Sequence, residues 1–236
     1  MGEPRVDPDA TFERVQLDDT SWVDLARGFL HGADVVLDHV VANVEWSQGR
    51  RWMYERYVDD PRLSHWYRDD EPPPHPVLDE ARLAVSRRYR KPLAGAGLNY
   101  YRNGRDSVAS HRDREMRHLD DTIVAILTLG ACRPFLICPH PSGPSRDLRP
   151  ASGDLLVMGG HFQAAWRHGV PKVARPVGPR VSVTWRWSSG TGRADRPVAR
   201  PSGRRGATRP GSDPPSPAGP RTRGAGRATV PTGAGR

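Results

Sequence analysis

Cysteine is scarce in this 236-residue chain: only Cys132 and Cys138 occur. Two thiols so close together cannot build the disulfide framework of a small secreted domain. The opening Met1-Gly2-Glu3-Pro4-Arg5 lacks an apolar leader, so the thiols are expected to be reduced, in a cytosolic protein, nucleoid-associated if bacterial. Both lie in a strand-like stretch, where a small buried hydrophobe is the ordinary role of a free cysteine. No apolar run reaches about 18 residues, so no membrane-spanning helix is expected.

Net charge is also scarce where it would matter. The whole chain carries +9. Between Ser188 and Arg236 ten arginines face two acids, Asp195 and Asp213, which leaves +8 there and about +1 for the rest. The basic character therefore belongs to the end of the chain, and the body has no net polyanion-binding charge of its own. Local clusters such as Arg50, Arg51 and Arg56 could grip phosphates, and a solvated surface is the competing reading. A mean hydropathy of -0.68 hides the same break. The last aromatic is Trp187, and Arg, Gly, Pro, Ser, Ala and Thr dominate after it. Such a segment cannot bury enough apolar area to offset its ordering entropy. Residues 189–236 are expected to be a disordered tail, either a weak salt-sensitive tether for nucleic acid or a solubilising extension.

The chain length suits one domain plus this tail. Residues 1–10 are polar and expected to be loose, and Thr11–Leu17 alternates like a strand. Val36, Leu37, Val40, Val41 and Val44 recur at helical spacing, as do Leu78, Ala81, Val85 and Tyr89. Between these helices lies an aromatic and charged stretch, Trp46–Asp70, closed by the stiff Glu71-Pro72-Pro73-Pro74-His75-Pro76. From residue 96 the period changes. Leu98–Arg102, Ser107–His111, Thr122–Leu129, Pro134–Cys138, Asp154–Met158, Ala165–Gly169 and Arg180–Trp187 read as strands separated by turn signals. The expected fold is mainly β with flanking helices (α+β): a jelly-roll core over 96–188, with helices from 11–95 packed on one sheet.

The chemistry-bearing residues start with His111-Arg112-Asp113, followed 55 residues later by His168. Two imidazoles and a carboxylate can hold one face of a metal and leave the other open, a set that suits non-haem Fe(II). Residues two apart on a strand point to one side, so His111 and Asp113 can share a face with a later strand folding back beside them. Taken alone, His-x-Asp is a weak signal, and His140 and His161 remain alternative third ligands. The second signal is Arg180-Val181-Ser182-Val183-Thr184-Trp185-Arg186. Positions 180, 182, 184 and 186 share one polar face. Two guanidinium groups turned inward need an anion, and a 2-keto dicarboxylate would match their forks. An edge strand with its polar face in water is the alternative. Asn99 and Tyr101 also share a strand face, and both can donate to a carboxylate.

Several further elements surround these in order. They are Asn99-x-Tyr101, Asn103-Gly104-x-Asp106, His111-x-Asp113-x-Glu115, Leu129-Gly130-x-x-Arg133-x-Phe135, Gly153-Asp154-Leu155-Leu156-Val157-Met158, Gln163-x-x-Trp166-x-His168-x-Val170-Pro171-Lys172 and Arg180-x-Ser182-x-Thr184-x-Arg186. The ordered set resembles the AlkB family of 2-oxoglutarate-dependent dioxygenases, which remove alkyl groups from nucleobases. It covers residues 96–187 closely and 10–95 loosely. The resemblance implies that His111, Asp113 and His168 hold Fe(II), with 2-oxoglutarate and dioxygen as cosubstrates. It implies that Arg180 and Tyr101 take the distal carboxylate of 2-oxoglutarate, and that Arg186 and Asn99 lie near its keto-acid end. Ser182 stands where many relatives carry Asn, which leaves that position's role open. Glu115 would meet the exocyclic edge of the damaged base, and Trp66 and Tyr67 of an N-terminal lid would stack on it. The implied substrate is alkylated DNA (1-methyladenine, 3-methylcytosine), with RNA as a second polymer, the implied activity is direct-reversal repair, and a monomer is expected. An oxygenase of the same kind acting on a protein or small molecule, and a nucleic-acid binder without turnover, are the competing functions. From the tail's composition, a chain ending at Ser189 is expected to keep the full-length thermal unfolding midpoint and its turnover on short oligonucleotides. Loss of cooperative unfolding in calorimetry would show that the tail takes part in the fold.

Overall fold

The computed structural model describes residues 2–53 and 55–189. The expected tail, beyond Ser189, lies outside the described residues. The elements run in the order β1 (Arg5–Val6), β2 (Phe12–Gln16), β3 (Ser21–Ala26), β4 (Leu30–His31), α1 (Ala33–Asn43), β5 (Arg50–Met53), β6 (Arg56–Asp59), β7 (Leu63–Tyr67), α2 (Pro76–Tyr89) and β8 (Ala94–Tyr101). They continue with β9 (Val108–His111), β10 (Thr122–Gly130), β11 (Leu136–Pro139), β12 (Arg146–Asp147), β13 (Leu155–Gly160), α3 (Phe162–Ala165), β14 (Trp166–Val170) and β15 (Arg180–Ser188). Seven strands form a major antiparallel sheet in the order β2-β3-β13-β10-β15-β8-β7, and four form a minor sheet, β12-β11-β14-β9. The expected jelly roll with helices on one sheet is what the described residues form.

Strand parity sorts the core into two layers. On β10, Ile123, Ala125, Leu127 and Leu129 turn to the helix side, and Val181, Val183 and Trp185 do the same on β15. There they meet Val36, Leu37 and Val40 of α1 and Leu78, Ala81 and Val85 of α2. These helical positions recur every three or four residues, which places one apolar stripe per helix on the sheet. The alternate residues Val124 and Ile126 turn inward, towards Ile137, Trp166 and Val170 of the minor sheet, with Phe162 of α3 between. The space between the sheets is where β15 presents Arg180, Ser182, Thr184 and Arg186.

Both large helices start and stop where the side chains dictate. His75 caps α2, accepting a hydrogen bond from the Val77 amide at 3.2 Å, and Pro76 occupies the first turn, where no amide donor is needed. Arg90 ends the helix in the left-handed region at φ 52°. The N-terminal part departs from the expectation of a helical region. It supplies β2, β3 and β7 to the major sheet and the hairpin β5–β6, and Arg5–Val6, expected to be loose, pairs with β4. Strand β3 was not predicted because both its faces are covered: five of its six residues are buried, so apolar and polar residues do not alternate. Its Asp24, 2% exposed, is held by Arg14 at 2.7 and 2.8 Å and by the Tyr89 hydroxyl at 2.7 Å. That is the compensation a buried carboxylate requires.

Cys138 is buried as expected, whereas Cys132 is exposed, because it follows the turn at Gly130 rather than lying within β11. No helix among the described residues is long and apolar enough to cross a membrane. Leu127 is fully buried between the sheet and the helices, whereas Leu83 is 40% exposed. Leu127→Ala is expected to cost about 3 kcal/mol in denaturant unfolding, from lost transfer energy and a residual cavity. Leu83→Ala should cost under about 0.5 kcal/mol. Equal effects would show that the helix–sheet layer is not the stabilising core.

Candidate active site

The minor sheet brings the first two ligands together. His168 on β14 pairs in register with His111 on β9, and their ring centroids lie 4.3 Å apart. Asp113 follows in the turn after β9. One ligand atom from each of His111, Asp113 and His168 falls within 4.8 Å of the others, and among the described residues this is the one His/Cys/Asp/Glu group so placed. His111 Nε2 is 3.5 Å and His168 Nε2 is 3.9 Å from Asp113 Oδ1. Neither alternative ligand belongs: His161 precedes α3 and lies 3.4 Å from Asp120, and His140 follows the end of β11.

The surroundings set the charge states that a metal needs. His111 Nδ1 lies 2.9 Å from the Ala109 carbonyl, so the tautomer protonated there leaves Nε2 free to ligate. His168 is 5% exposed and stacked on Phe135 with ring centroids 5.9 Å apart. Burial, then the neighbouring His111 and Arg186, outweigh Asp113 and push its pKa down to about 3, so the imidazole is neutral near pH 7. Burial alone would raise Asp113, but Arg186 and the two imidazoles hold it well below the usual carboxylate range. The Asp113 amide donates to Gln163 Oε1 at 2.8 Å, and Arg112 donates to the Ala164 carbonyl at 2.7 Å. Both contacts moor the ligand turn to α3. Two imidazoles, that of His168 kept neutral by burial, and an ionised carboxylate converge here, a donor set that suits a divalent iron.

The major sheet supplies the second half. Arg180 has no exposed surface, and its guanidinium meets Thr128 Oγ1 at 3.1 Å, the Pro150 carbonyl at 3.3 Å and Ser182 Oγ at 3.4 Å. None of these is an anion. Burial lowers its pKa to about 10, so it stays charged at neutral pH. A buried cation with only neutral acceptors is costly, and an incoming carboxylate removes that cost. Tyr101 sits opposite Arg180 in the strand register and is 2% exposed, and Asn99 sits opposite Ser182. The short Ser182 side chain leaves Arg180 Nε a neutral partner and fills little of the space. Arg186, at the other end of the row, donates from Nε to Asp113 Oδ2 at 2.7 Å. One strand face therefore carries a buried cation without an anionic partner at one end and, at the other, an arginine that holds Asp113.

Of the two lid aromatics expected to stack, strand parity separates Trp66 from Tyr67. Trp66 pairs with Gly97 on the inner face, is 41% exposed and lies 5.7 Å from the Arg186 guanidinium. Its ring rests on Gly95 and Gly97: a Cβ at either would come within 2.6 or 2.9 Å of it. Tyr67 pairs with Ala96 and packs on the helix-side core, away from the triad. Glu115 is exposed in the turn after Asp113, with no side-chain hydrogen bond among the described residues. Gln163, Thr128 and the glycines under Trp66 were missed as site-building residues; the bare Gly95-x-Gly97 spacing was the available signal. Arg133, 1% exposed, donates to the carbonyls of Asn103, Asp106 and Pro171 and ties together the loops leaving β8 and β14.

A jelly roll with this triad and this buried arginine defines the non-haem iron oxygenases that use a 2-keto acid. Residues 27–190 match the family model of the 2OG-Fe(II) oxygenase superfamily. The chain is 32% identical over 209 residues to alpha-ketoglutarate-dependent dioxygenase alkB homolog 3 of Mus musculus, and to the Homo sapiens protein, covering 78% of this chain and 73% of each relative. Over a shorter span of 119 residues it is 32% identical to DNA oxidative demethylase ALKBH2 of Bos taurus, covering 47% of this chain and 43% of that one. Among solved structures, a Trichoplax adhaerens prolyl hydroxylase in complex with a hypoxia-inducible-factor peptide fragment superposes with a TM-score of 0.54 at 13% identity, over 70% of this chain and 83% of that chain, a likeness of fold. The chain belongs to the AlkB family of Fe(II)- and 2-oxoglutarate-dependent dioxygenases. His111→Ala is expected to abolish stoichiometric iron retention in metal analysis while moving the thermal midpoint by only a few degrees, because this histidine is partly exposed and its loss opens no core cavity. Full iron content in the variant would remove His111 from the ligand set.

Proposed function

We propose that this chain is an oxidative demethylase that removes N-alkyl groups from nucleobases such as 1-methyladenine and 3-methylcytosine in DNA, with RNA as a second polymer, and so reverses alkylation damage directly. The observation that carries the reading is the row from Arg180 to Arg186 ending on the triad, in a chain about a third identical to an alkB-homolog dioxygenase over most of its length and to a DNA oxidative demethylase over about half of it. His111, Asp113 and His168 would hold the iron. Arg180 and Tyr101 would take the distal carboxylate of 2-oxoglutarate, with Asn99, Ser182 and Arg186 along its length. Iron, 2-oxoglutarate and dioxygen together supply the oxidising power that hydroxylates the N-alkyl carbon, with succinate and carbon dioxide as coproducts; the hydroxylated group then leaves as an aldehyde.

The rest of the work falls to the protein. The target carbon is out of reach inside a duplex, so the base must be single-stranded or flipped out. Trp66 offers an exposed ring beside Arg186 for stacking, and Glu115 offers a free carboxylate to the exocyclic edge. The hairpin β5–β6 extends from the same edge. Trp52 and Tyr57 are 62% and 63% exposed on it and meet edge to face at 5.0 Å. Arg50 and Arg51 pair with Asp59 and Asp60 in exposed bridges. Such bridges are worth about 0–1 kcal/mol, so phosphates can compete for these arginines. Four of the five large exposed apolar side chains among the described residues, Trp52, Met53, Tyr57 and Trp66, lie on this hairpin or at the site rim. We read this exposed apolar surface as substrate-binding, and the protein as a monomer that acts in the cytoplasm.

The test is succinate release with iron and 2-oxoglutarate, comparing methylated and unmethylated single- and double-stranded DNA and RNA. Methylated oligonucleotides are expected to stimulate release and lose their methyl groups by mass spectrometry. Equal release with and without the methyl group would point to another substrate class. Arg180→Ala is expected to raise the KM for 2-oxoglutarate at least tenfold, the effect of removing a charge-assisted contact. An unchanged KM would remove Arg180 from the carboxylate site.

A further inference from the structure

We propose that Arg62, a residue outside the cosubstrate pocket, sets the orientation of the Asn99 amide and thereby makes Asn99 a hydrogen-bond donor to 2-oxoglutarate. The proposal rests on the reading of the inner strand face as the cosubstrate site. Arg62 lies just before β7, at the base of the hairpin, and donates from Nε to Asn99 Oδ1 at 2.9 Å. The two ends of an asparagine amide have nearly the same shape, and their chemistry differs: the oxygen accepts, the nitrogen donates. A guanidinium has no acceptor to offer. If the amide were turned over, Arg62 Nε–H would face Nδ2–H, two donors with nothing between them. The arginine therefore selects one of two nearly isosteric states, with Oδ1 consumed and Nδ2 left over.

Nδ2 has no protein acceptor among the described residues. Asn99 shares the inner face with Tyr101 on β8 and stands opposite Ser182 on β15, one step along the row from Arg180. A free donor there suits a carboxylate or keto oxygen; an acceptor there would repel one. Without Arg62, the amide would be free to rotate, and the ordering would fall on ligand binding instead. Arg62 is held in its own place from two sides. Its amide donates to the Asp60 carbonyl at 2.8 Å, and the preceding Pro61 carbonyl accepts from the Ser107 amide at 2.6 Å, just ahead of the strand that carries His111. The segment 60–62 thus spans the hairpin base, the cosubstrate row and the approach to the triad. Arg62 is a positioning residue: it acts through Asn99.

The experiment is 2-oxoglutarate binding without turnover, with Mn(II) in place of iron and without oxygen, followed by calorimetry. The proteins are wild type, Arg62→Met, Asn99→Ala and the double variant, with Mn(II) affinity alone as a second readout. Arg62→Met is expected to weaken 2-oxoglutarate binding about tenfold, the loss of one hydrogen bond to a charged acceptor, with Mn(II) affinity unchanged. In the Asn99→Ala background the same substitution is expected to have no further effect, because its target is gone. Full additivity of the two losses overturns the proposal, and so does wild-type affinity in Arg62→Met. If Arg62→Met does not unfold cooperatively, Arg62→Lys replaces it. Its ammonium also only donates, so it should stay within about threefold of wild type, and a tenfold loss there overturns the orienting role. Failure of wild type itself to bind 2-oxoglutarate with Mn(II) would overturn the cosubstrate-site reading, a separate result.

Discussion

The constraint on which this molecule depends is the two-residue period of β15. Val181, Val183 and Trp185 turn to the helices and Arg180, Ser182, Thr184 and Arg186 turn to the space between the sheets. A strand cannot choose these faces independently, since one residue's slip exchanges them all. The apolar face is what enforces the register. Trp185, Val181 and Val183 are essentially unexposed in the helix-side cluster, and moving them to the inner face would strand them among polar groups. Stability of the helix layer and placement of the inner-face arginines are consequently one property. The same arithmetic on the partner strand β10 puts Thr128 beneath Arg180 and Leu127 among the helices.

Charge is distributed along that inner face to leave a deficit. Arg186 is satisfied by Asp113 at 2.7 Å. Arg180 is not: its partners are two hydroxyls and a carbonyl. Arg133 is equally buried and equally without a carboxylate, yet three backbone carbonyls surround it, and those loops need it. The difference separates an arginine that the loops use from one proposed to bind a carboxylate. Arg133 spends both terminal nitrogens on the fold at 2.7 to 3.0 Å, with its buried Nε unpaired, whereas Arg180 keeps longer contacts of 3.1 to 3.4 Å that a carboxylate can outcompete. A protein that buried Arg180 for stability alone would have gained by an apolar residue of similar volume.

The sequence made the β15 face, the triad and the two main helices legible because each is a local pattern: spacing of two on a strand, three or four on a helix. What it hid were contacts between distant segments. Strand β3 escaped because burial on both faces erases alternation. Trp66 and Tyr67 looked equivalent as neighbours, and only the register against Gly97 and Ala96 places one by the triad and the other in the core. Cys132 and Cys138 looked alike for the same reason and part at the turn that begins β11. Gln163 stood in a recognisable motif, but its duty, accepting from the Asp113 amide 50 residues away, has no periodic signature.

The same distinction explains why the lid was the least legible part. Its aromatics, Trp52, Tyr57 and Trp66, are exposed, so no core packing disciplines their positions or spacing. Exposure of large aromatics is unfavourable for the free protein, and it persists where a partner surface compensates. Trp66 shows how little the scaffold adds: two glycines clear a seat for the ring, and 41% of the residue stays exposed. On the proposed function this ring would stack a flat ligand, and its neighbour Arg186 holds Asp113. A single guanidinium thereby lies between the Trp66 ring and the Asp113 carboxylate. On the proposed function, a base stacked on that ring would sit one side chain away from the carboxylate that would hold the iron.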